Sequence, residues 1–306
     1  MSKTTIVLGA GGFVGRHLVT ALHACGHHVI ALTHRPNAFT EDVETHSGDF
    51  NTPEQFAPLL SRADAIVHAA SGSTPGSTAG KPLAEIDINL RPTLALLTAL
   101  QETPHCRLLY ISSGGTLYGD THDRPAKEND ELRPRSYYGA GKAAAEHFIH
   151  AAAQQFNLST TIVRPSNLYG PGQGLRGGFG IIPTAFSHAQ TGATLTLWGD
   201  GQAIRDYLYI DDFIRLCGDI LEHPITDGPR ILNAASGQGI SLLDLIDHIR
   251  RITGAPLPVR HDLSRQVDIA RIEMNTNAAT HLYEWFTHVG LEEGLTNAWE
   301  WWKTRK

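Results

Sequence analysis

Thr4 to Leu22 constrains this chain more than any other stretch. An apolar run, Ile6, Val7 and Leu8, breaks into clustered glycines and resumes with helical spacing at Val14, Leu18 and Leu22. Strand, turn and helix are expected in that order. Gly9 permits the tight turn, Gly12 lets the backbone approach a pyrophosphate, and Gly15 lets helix and strand pack closely. Phosphates would sit on the free amides at the helix N-terminus, beside Phe13 and Val14. The spacing is GxxGxxG rather than GxGxxG, so a plain glycine-rich connector is the competing reading. The strand before and the helix after favour a cofactor site.

With 306 residues, 41% hydrophobic and 18% charged, the chain can bury a full core as one large domain or two coupled ones. A net charge of −6 leaves no electrostatic footprint for nucleic acid, and no basic amphipathic segment points to a membrane surface. Cys25, Cys106 and Cys217 lie far apart without a CxxC pair, which suits a reducing cytoplasm. No run of 18 apolar residues is present, and the glycines interrupt any signal-peptide core. Seventeen histidines raise the question of a metal. His147 and His150 share a helix face, but no third ligand accompanies them, so no metal is expected.

Further strands are expected at 28–32, 45–50, 64–70, 107–112 and 160–164, with helices at 53–61, 83–102 (despite Pro92) and 138–157. Six alternations of strand and helix predict an α/β fold, a Rossmann-type doubly wound parallel sheet. At the end of the second strand, dinucleotide folds that bind NAD carry an acid about 20 positions past the glycines, whereas an arginine there accommodates the 2′-phosphate of NADP. This chain has Thr33 and Arg35 instead of the acid. A solvated loop arginine is the alternative reading of Arg35. Beyond Pro165 the chain changes character: a long glycine-rich loop over 166–180 opens a smaller α/β lobe. Residues 207–222 and 230–235 read as strand, helix and strand that cross back to the first sheet. The expected organisation is thus a dinucleotide-binding domain over 1–165, joined by segments near 207–235, and a substrate-binding lobe mainly over 166–306.

Tyr138 and Lys142 stand four apart at the start of a predicted helix, one turn apart on one face. An ammonium close to a phenol stabilises the phenolate and brings its pKa down toward working pH, which makes tyrosine a competent base. Beside a nicotinamide, the pair could take a hydroxyl proton while the carbon loses hydride. A Ser or Thr hydroxyl would hold the same oxygen.

These motifs together resemble the extended short-chain dehydrogenase/reductases of the sugar-nucleotide epimerase and dehydratase group, and are similar to UDP-galactose 4-epimerases. The likeness runs nearly end to end: Gly9 to Gly15, Gly48-Asp49, Val67 to Ala70, Lys81-Pro-Leu, Asn89, Ser112 to Gly119, Tyr138 to Lys142, Arg164 to Pro171, and Gly199 to Asp212. The resemblance implies Tyr138 as acid/base, Lys142 on the nicotinamide ribose and Asp49 near the adenine. It also implies a cofactor site reaching Phe50, Ala69, Ala70, Lys81, Ser112 and Pro165, with Thr116, Asn167, Arg205 and Arg271 on the substrate. Arginine forks suit a nucleotide diphosphate; a salt bridge from Arg205 to Asp206 or Asp200 is the competing reading.

The chain departs from the group at three places. Gly114 stands where many relatives carry the catalytic hydroxyl, so Ser113 is expected to supply it, with Thr116 in reserve; both could instead bond only the loop backbone. Gly115 and Thr116 replace the acidic pair of the dehydratases, which disfavours dehydration. Thr33 replaces the aspartate of NAD-dependent relatives. The resemblance therefore implies a nucleotide-sugar epimerase, at carbon 4, working through a transient keto sugar with bound NAD or NADP. The alternative is an NADP-dependent reductase of a keto-sugar nucleotide. A sensor of NADP that has lost catalysis fits less well, because Tyr138 and Lys142 are both present. A homodimer pairing helices 83–102 and 138–156 would resemble the family.

Overall fold

A computed structural model describes residues 2–36, 39–40, 42–121, 124–175, 180–224, 228, 230–264 and 268–305. Part of the glycine-rich loop expected over 166–180, at 176–179, lies outside them.

In chain order the elements are β1 (Thr4–Leu8), α1 (Phe13–Ala24), β2 (His28–Thr33), β3 (Glu44–Ser47), α2 (Ala57–Leu60), β4 (Ala65–His68), α3 (Pro82–Glu85), α4 (Arg91–Leu100), β5 (Arg107–Ile111), α5 (Gly114–Leu117), α6 (Tyr137–Phe156) and β6 (Thr160–Pro165). Then follow β7 (Asn167–Tyr169), α7 (Ile181–Thr191), β8 (Leu195–Trp198), β9 (Ile204–Tyr209), α8 (Ile210–Glu222), β10 (Arg230–Ala234), β11 (Gly239–Ser241), α9 (Leu242–Thr253), β12 (Val259–Asp262), α10 (Asn277–Tyr283) and α11 (Leu291–Lys303).

The chain groups into two units. The first holds residues 1–113, 136–164 and 214–232. Its sheet has the order β10-β6-β5-β4-β1-β2-β3, with β1 parallel to both β2 and β4. Continuous apolar runs belong in a parallel sheet covered on both faces. β1, β2, β4 and β5 accordingly bury Ile6, Leu8, Ile30, Leu32, Ile66 and Leu108 against Leu96 of α4 and Ile149 of α6, and Leu18 of α1 is buried as well.

The second unit holds 114–135, 165–213 and 233–306. It contains a three-stranded sheet, β11-β9-β7, and the parallel pair β12-β8, over a core that includes Tyr169, Phe186, Leu245 and Trp302. The sequence boundary near 165 left 114–135 in the first unit. These residues belong to the second because Ala126 bridges to Met274 and Tyr118 donates to Asn233 Oδ1 at 2.6 Å.

Several expected elements differ, among them three that bear on the site. The helix expected over 83–102 is α3, a π-helical turn over Ile86–Leu90, then α4. Pro92 lacks an N–H and its ring clashes with the carbonyl four residues back, and the wider turn ahead of it relieves both conflicts. The strand expected to reach Phe50 stops at Ser47. Phe50 adopts φ 52°, a left-handed conformation no strand continues through, and turns its ring into the core beside Phe56. Finally, β9 does not join the large sheet. It pairs with β7 and β11, and β10 alone of the two expected strands adds to the first sheet.

Candidate active site

In the first unit, β1 ends in a turn that only glycine tolerates. Gly9 has φ +86°, and a Cβ there would stand 2.5 Å from Ala70 Cα. A Cβ on Gly15 would stand 2.2 Å from Gly9 O, so α1 rests directly on the turn. Gly12 caps α1 without a side-chain hydrogen bond, and the first turn carries no acid. No capping side chain and no acid of the first turn competes for the amides at this helix end, and the cradle fits a dinucleotide phosphate. Phe13 and Val14 begin α1, Pro165 is buried at the end of β6, and half-buried Ala69 and Ala70 border the turn at the end of β4.

The end of β2 carries no carboxylate. Thr33 is buried, its hydroxyl donates to Arg35 O at 2.6 Å, and the Arg35 side chain is exposed. Asp49 is exposed and accepts from Gln55 Nε2 at 3.0 Å; this bond holds its carboxyl below the ordinary carboxylate range. Lys81 is exposed at the start of α3.

Tyr138 and Lys142 share one face of α6. Ser136 caps the helix by accepting from Gly139 N at 3.1 Å, and Asn157 ends it in a left-handed turn. Ser113 hydrogen-bonds to the Tyr138 phenol, and so does Ser71, to which no sequence motif had pointed. Lys142 is buried. Its ammonium donates to Ile111 O at 2.9 Å and lies 4.8 Å from the centre of the Tyr110 ring.

The electrostatics differ from the expectation for the pair. Burial holds Tyr138 above its ordinary value, against the opposing bonds from Ser113 and Ser71, so the phenol is not depressed. Desolvation of the phenolate outweighs the two serine hydrogen bonds here. Burial also draws Lys142 down to about 8, opposed by the negative charges of Glu85 and Glu146. The Ser112 hydroxyl donates to Glu146 Oε1, which fixes its side chain in a buried ion pair with Arg164.

In the second unit, Thr116 lies in the single helical turn of α5. Asn167 begins β7 and donates from Nδ2 to Asp206 O at 2.8 Å; a Cβ on Gly115 would stand 3.7 Å from Asn167 Oδ1. Arg205 lies on β9, where its Nη1 donates to Ile204 O at 2.9 Å. The carboxylate of Asp206, one of the two acids that could have paired with Arg205, accepts from the backbone N–H of Ser236, Gly237 and Gln238. Ile204 also bridges to Arg271, so Arg271 stands beside the same strand, its guanidinium paired with Glu273. Among the described residues no three His, Cys, Asp or Glu side chains gather as a metal site, and no helix is long and apolar enough to cross a membrane.

Comparison with known proteins bears on the family and the fold. Residues 5–235 match the family described as the NAD dependent epimerase/dehydratase family. A UDP-glucose 4-epimerase of Mycolicibacterium smegmatis is 28% identical over 98% of this chain and 99% of its own. A dTDP-4-dehydro-6-deoxy-D-allose reductase of a Streptomyces species is also 28% identical, over 99% and 97%. Among solved structures, the UDP-glucose 4-epimerase of Thermus thermophilus in complex with NAD superposes with a TM-score of 0.92 at 25% identity, covering 99% of this chain and all of the other.

Proposed function

The chain belongs to the NAD dependent epimerase/dehydratase family, and from that premise we propose that it is a nucleotide-sugar 4-epimerase. The observation that carries the reading is the convergence of Ser113, Tyr138 and Lys142 in the first unit, which also holds the Gly9–Gly15 cradle. Tyr138, as phenolate, takes the proton of the sugar hydroxyl at carbon 4 and later returns it, acting first as base and then as acid. Ser113 donates to the same oxygen and steadies the charge that develops on it. Lys142 supplies a fixed positive charge and a donor for the ribose of the cofactor. A bound nicotinamide would supply the two-electron acceptor and donor for the hydride at carbon 4.

Gly9, Gly12 and Gly15 would hold the pyrophosphate, with Asp49 and Phe50 toward the adenine. Thr116, Asn167, Arg205 and Arg271 would hold the nucleotide-sugar substrate. Gly115 and Thr116 support epimerisation over dehydration, since no acid stands there to eliminate water. Homodimerisation through the segment beginning at α3 and through α6 belongs to the same reading; Leu83, Ile86, Ile88 and Phe148 are exposed there. So does a cytoplasmic location.

One observation favours a second reading. Thr33 and Arg35 leave the end of β2 without an acid and with an exposed guanidinium, which suits the 2′-phosphate of NADP and hence a keto-sugar nucleotide reductase. The deciding experiment is to denature the purified protein and identify the released nucleotide by mass spectrometry, alongside an assay of UDP-glucose for conversion to its 4-epimer. Near-stoichiometric NAD with conversion supports the epimerase. An empty protein that prefers NADP and converts nothing overturns it in favour of the reductase.

A further inference from the structure

α3 delivers a carboxylate into the interior at a place the sequence does not advertise. Glu85 is 3% exposed. Its Oε2 accepts from Ser73 Oγ at 2.7 Å and Thr78 Oγ1 at 3.1 Å, and its Oε1 accepts from Asn89 Nδ2 at 2.6 Å. Asn89 is itself fixed, accepting from Gly72 N at 3.0 Å. The carboxylate is thus locked to the 71–78 loop, which also brings Ser71 to Tyr138.

Its other neighbour is α6. A Cβ on Gly141 would stand 2.8 Å from both Cγ and Oε1 of Glu85. Gly141 lies between Tyr138 and Lys142, so its missing side chain is what lets a buried negative charge rest against the turn that carries both. Burying a carboxylate is costly unless it is bonded and faces positive charge. Three hydrogen bonds meet the first condition.

We propose that Glu85 is a positioning residue for the Tyr138–Lys142 pair: its buried charge, set against the turn at Gly141, holds the lysine as an ammonium and weighs against the neighbouring phenolate. Glu85 indeed raises Lys142 against the desolvation that lowers it, and adds to the burial that raises Tyr138. The other ionisable groups facing the pair leave this role open. Glu146 also raises Lys142 but is already tied to Arg164, Tyr110 presents its ring to Lys142, and His68 is held neutral by burial with Lys142 opposing its charge. The assignment of a catalytic consequence rests on the proposed function; the charge effect does not.

The test is to titrate Tyr138 in the full-length protein by the ultraviolet difference absorbance of its phenolate, using Tyr138→Phe as the blank, and to record the pH profile of kcat/KM with UDP-glucose. Glu85→Gln is expected to move the phenolate titration down by about 1 pH unit, because a like charge has been removed. Both limbs of the activity profile should slide the same way, and Glu85→Asp should restore them. Gly141→Ala, which pushes the carboxylate off the turn while keeping it, should shift the titration in the same direction and serves if Glu85→Gln does not fold. A profile that falls in height but stays in place, with an unmoved phenolate titration, would mean that Glu85 only ties down the loop. A shifted titration in a protein that converts no nucleotide sugar at any pH would leave the positioning role standing and remove the epimerase reading.

Discussion

Arg164 grips Glu146 through both Nε and Nη2, and the two side chains are 3% and 4% exposed. The pair ties β6 to α6, with Ser112 at the end of β5 adding a third bond to the same carboxylate. It thereby fixes the helix that presents Tyr138 and the strand end that presents Ser113. Removing one partner strands a buried charge, whereas replacing both removes the desolvation cost as well. Arg164→Met is expected to destabilise the fold by about 3–5 kcal/mol in denaturant unfolding, and Arg164→Met with Glu146→Met by clearly less. Equal losses would show that the ion pair is not what holds these elements.

Tyr138→Phe keeps the ring that fills the site and removes the titrating oxygen. Turnover should fall by about 10²–10⁴ with unfolding temperature unchanged. Ser113→Ala, which removes a donor to that oxygen, should lower kcat by about 10²–10³ and leave nucleotide content intact. If Thr116→Ala costs more than Ser113→Ala, the hydroxyl has been assigned to the wrong residue.

Gly15→Ala places a methyl 2.2 Å from Gly9 O, backbone that cannot swing aside. The expected cost is about 1–3 kcal/mol of stability, together with loss of the dinucleotide carried through purification. Mass spectrometry of the denatured variant reads that loss directly. A variant that retains stoichiometric nucleotide would separate the glycine turn from cofactor binding.

His68 is buried at the end of β4, bonded to Thr93 Oγ1 at 3.0 Å, with no partner for Nδ1 among the described residues. Burial first, then the charge of Lys142, draws its pKa from 6.5 to about 3. Between these values the unfolded chain binds the proton and the folded chain does not. Stability from this residue is therefore complete above 6.5 and is lost as pH falls toward 3. Urea unfolding across that window should show a slope shallower in His68→Gln, by up to about 1.4 kcal/mol per pH unit. Identical slopes would mean that other groups govern acid unfolding.

The sequence by itself determined those features that short-range periodicity and single-residue sterics dictate. The β1–turn–α1 unit was legible because strand and helix periods meet at glycines whose tolerance is local; the positive φ of Gly9 and the contact under Gly15 bear this out. Tyr138 and Lys142 were legible as neighbours because four residues make one turn. Tertiary structure decided the rest. Ser71 reaches Tyr138, and Glu85 presses on the turn at Gly141, only because the 71–90 segment folds back across α6. Ser112 and Lys142 spend their polar atoms on Glu146 and Ile111, partners 34 and 31 residues away. The tyrosine's charge balance went the same way, since burial exceeded the hydrogen bonds from Ser113 and Ser71. Helical and strand periods are fixed by bond geometry within a few residues, whereas desolvation and long-range hydrogen bonding depend on what the whole fold packs around each group.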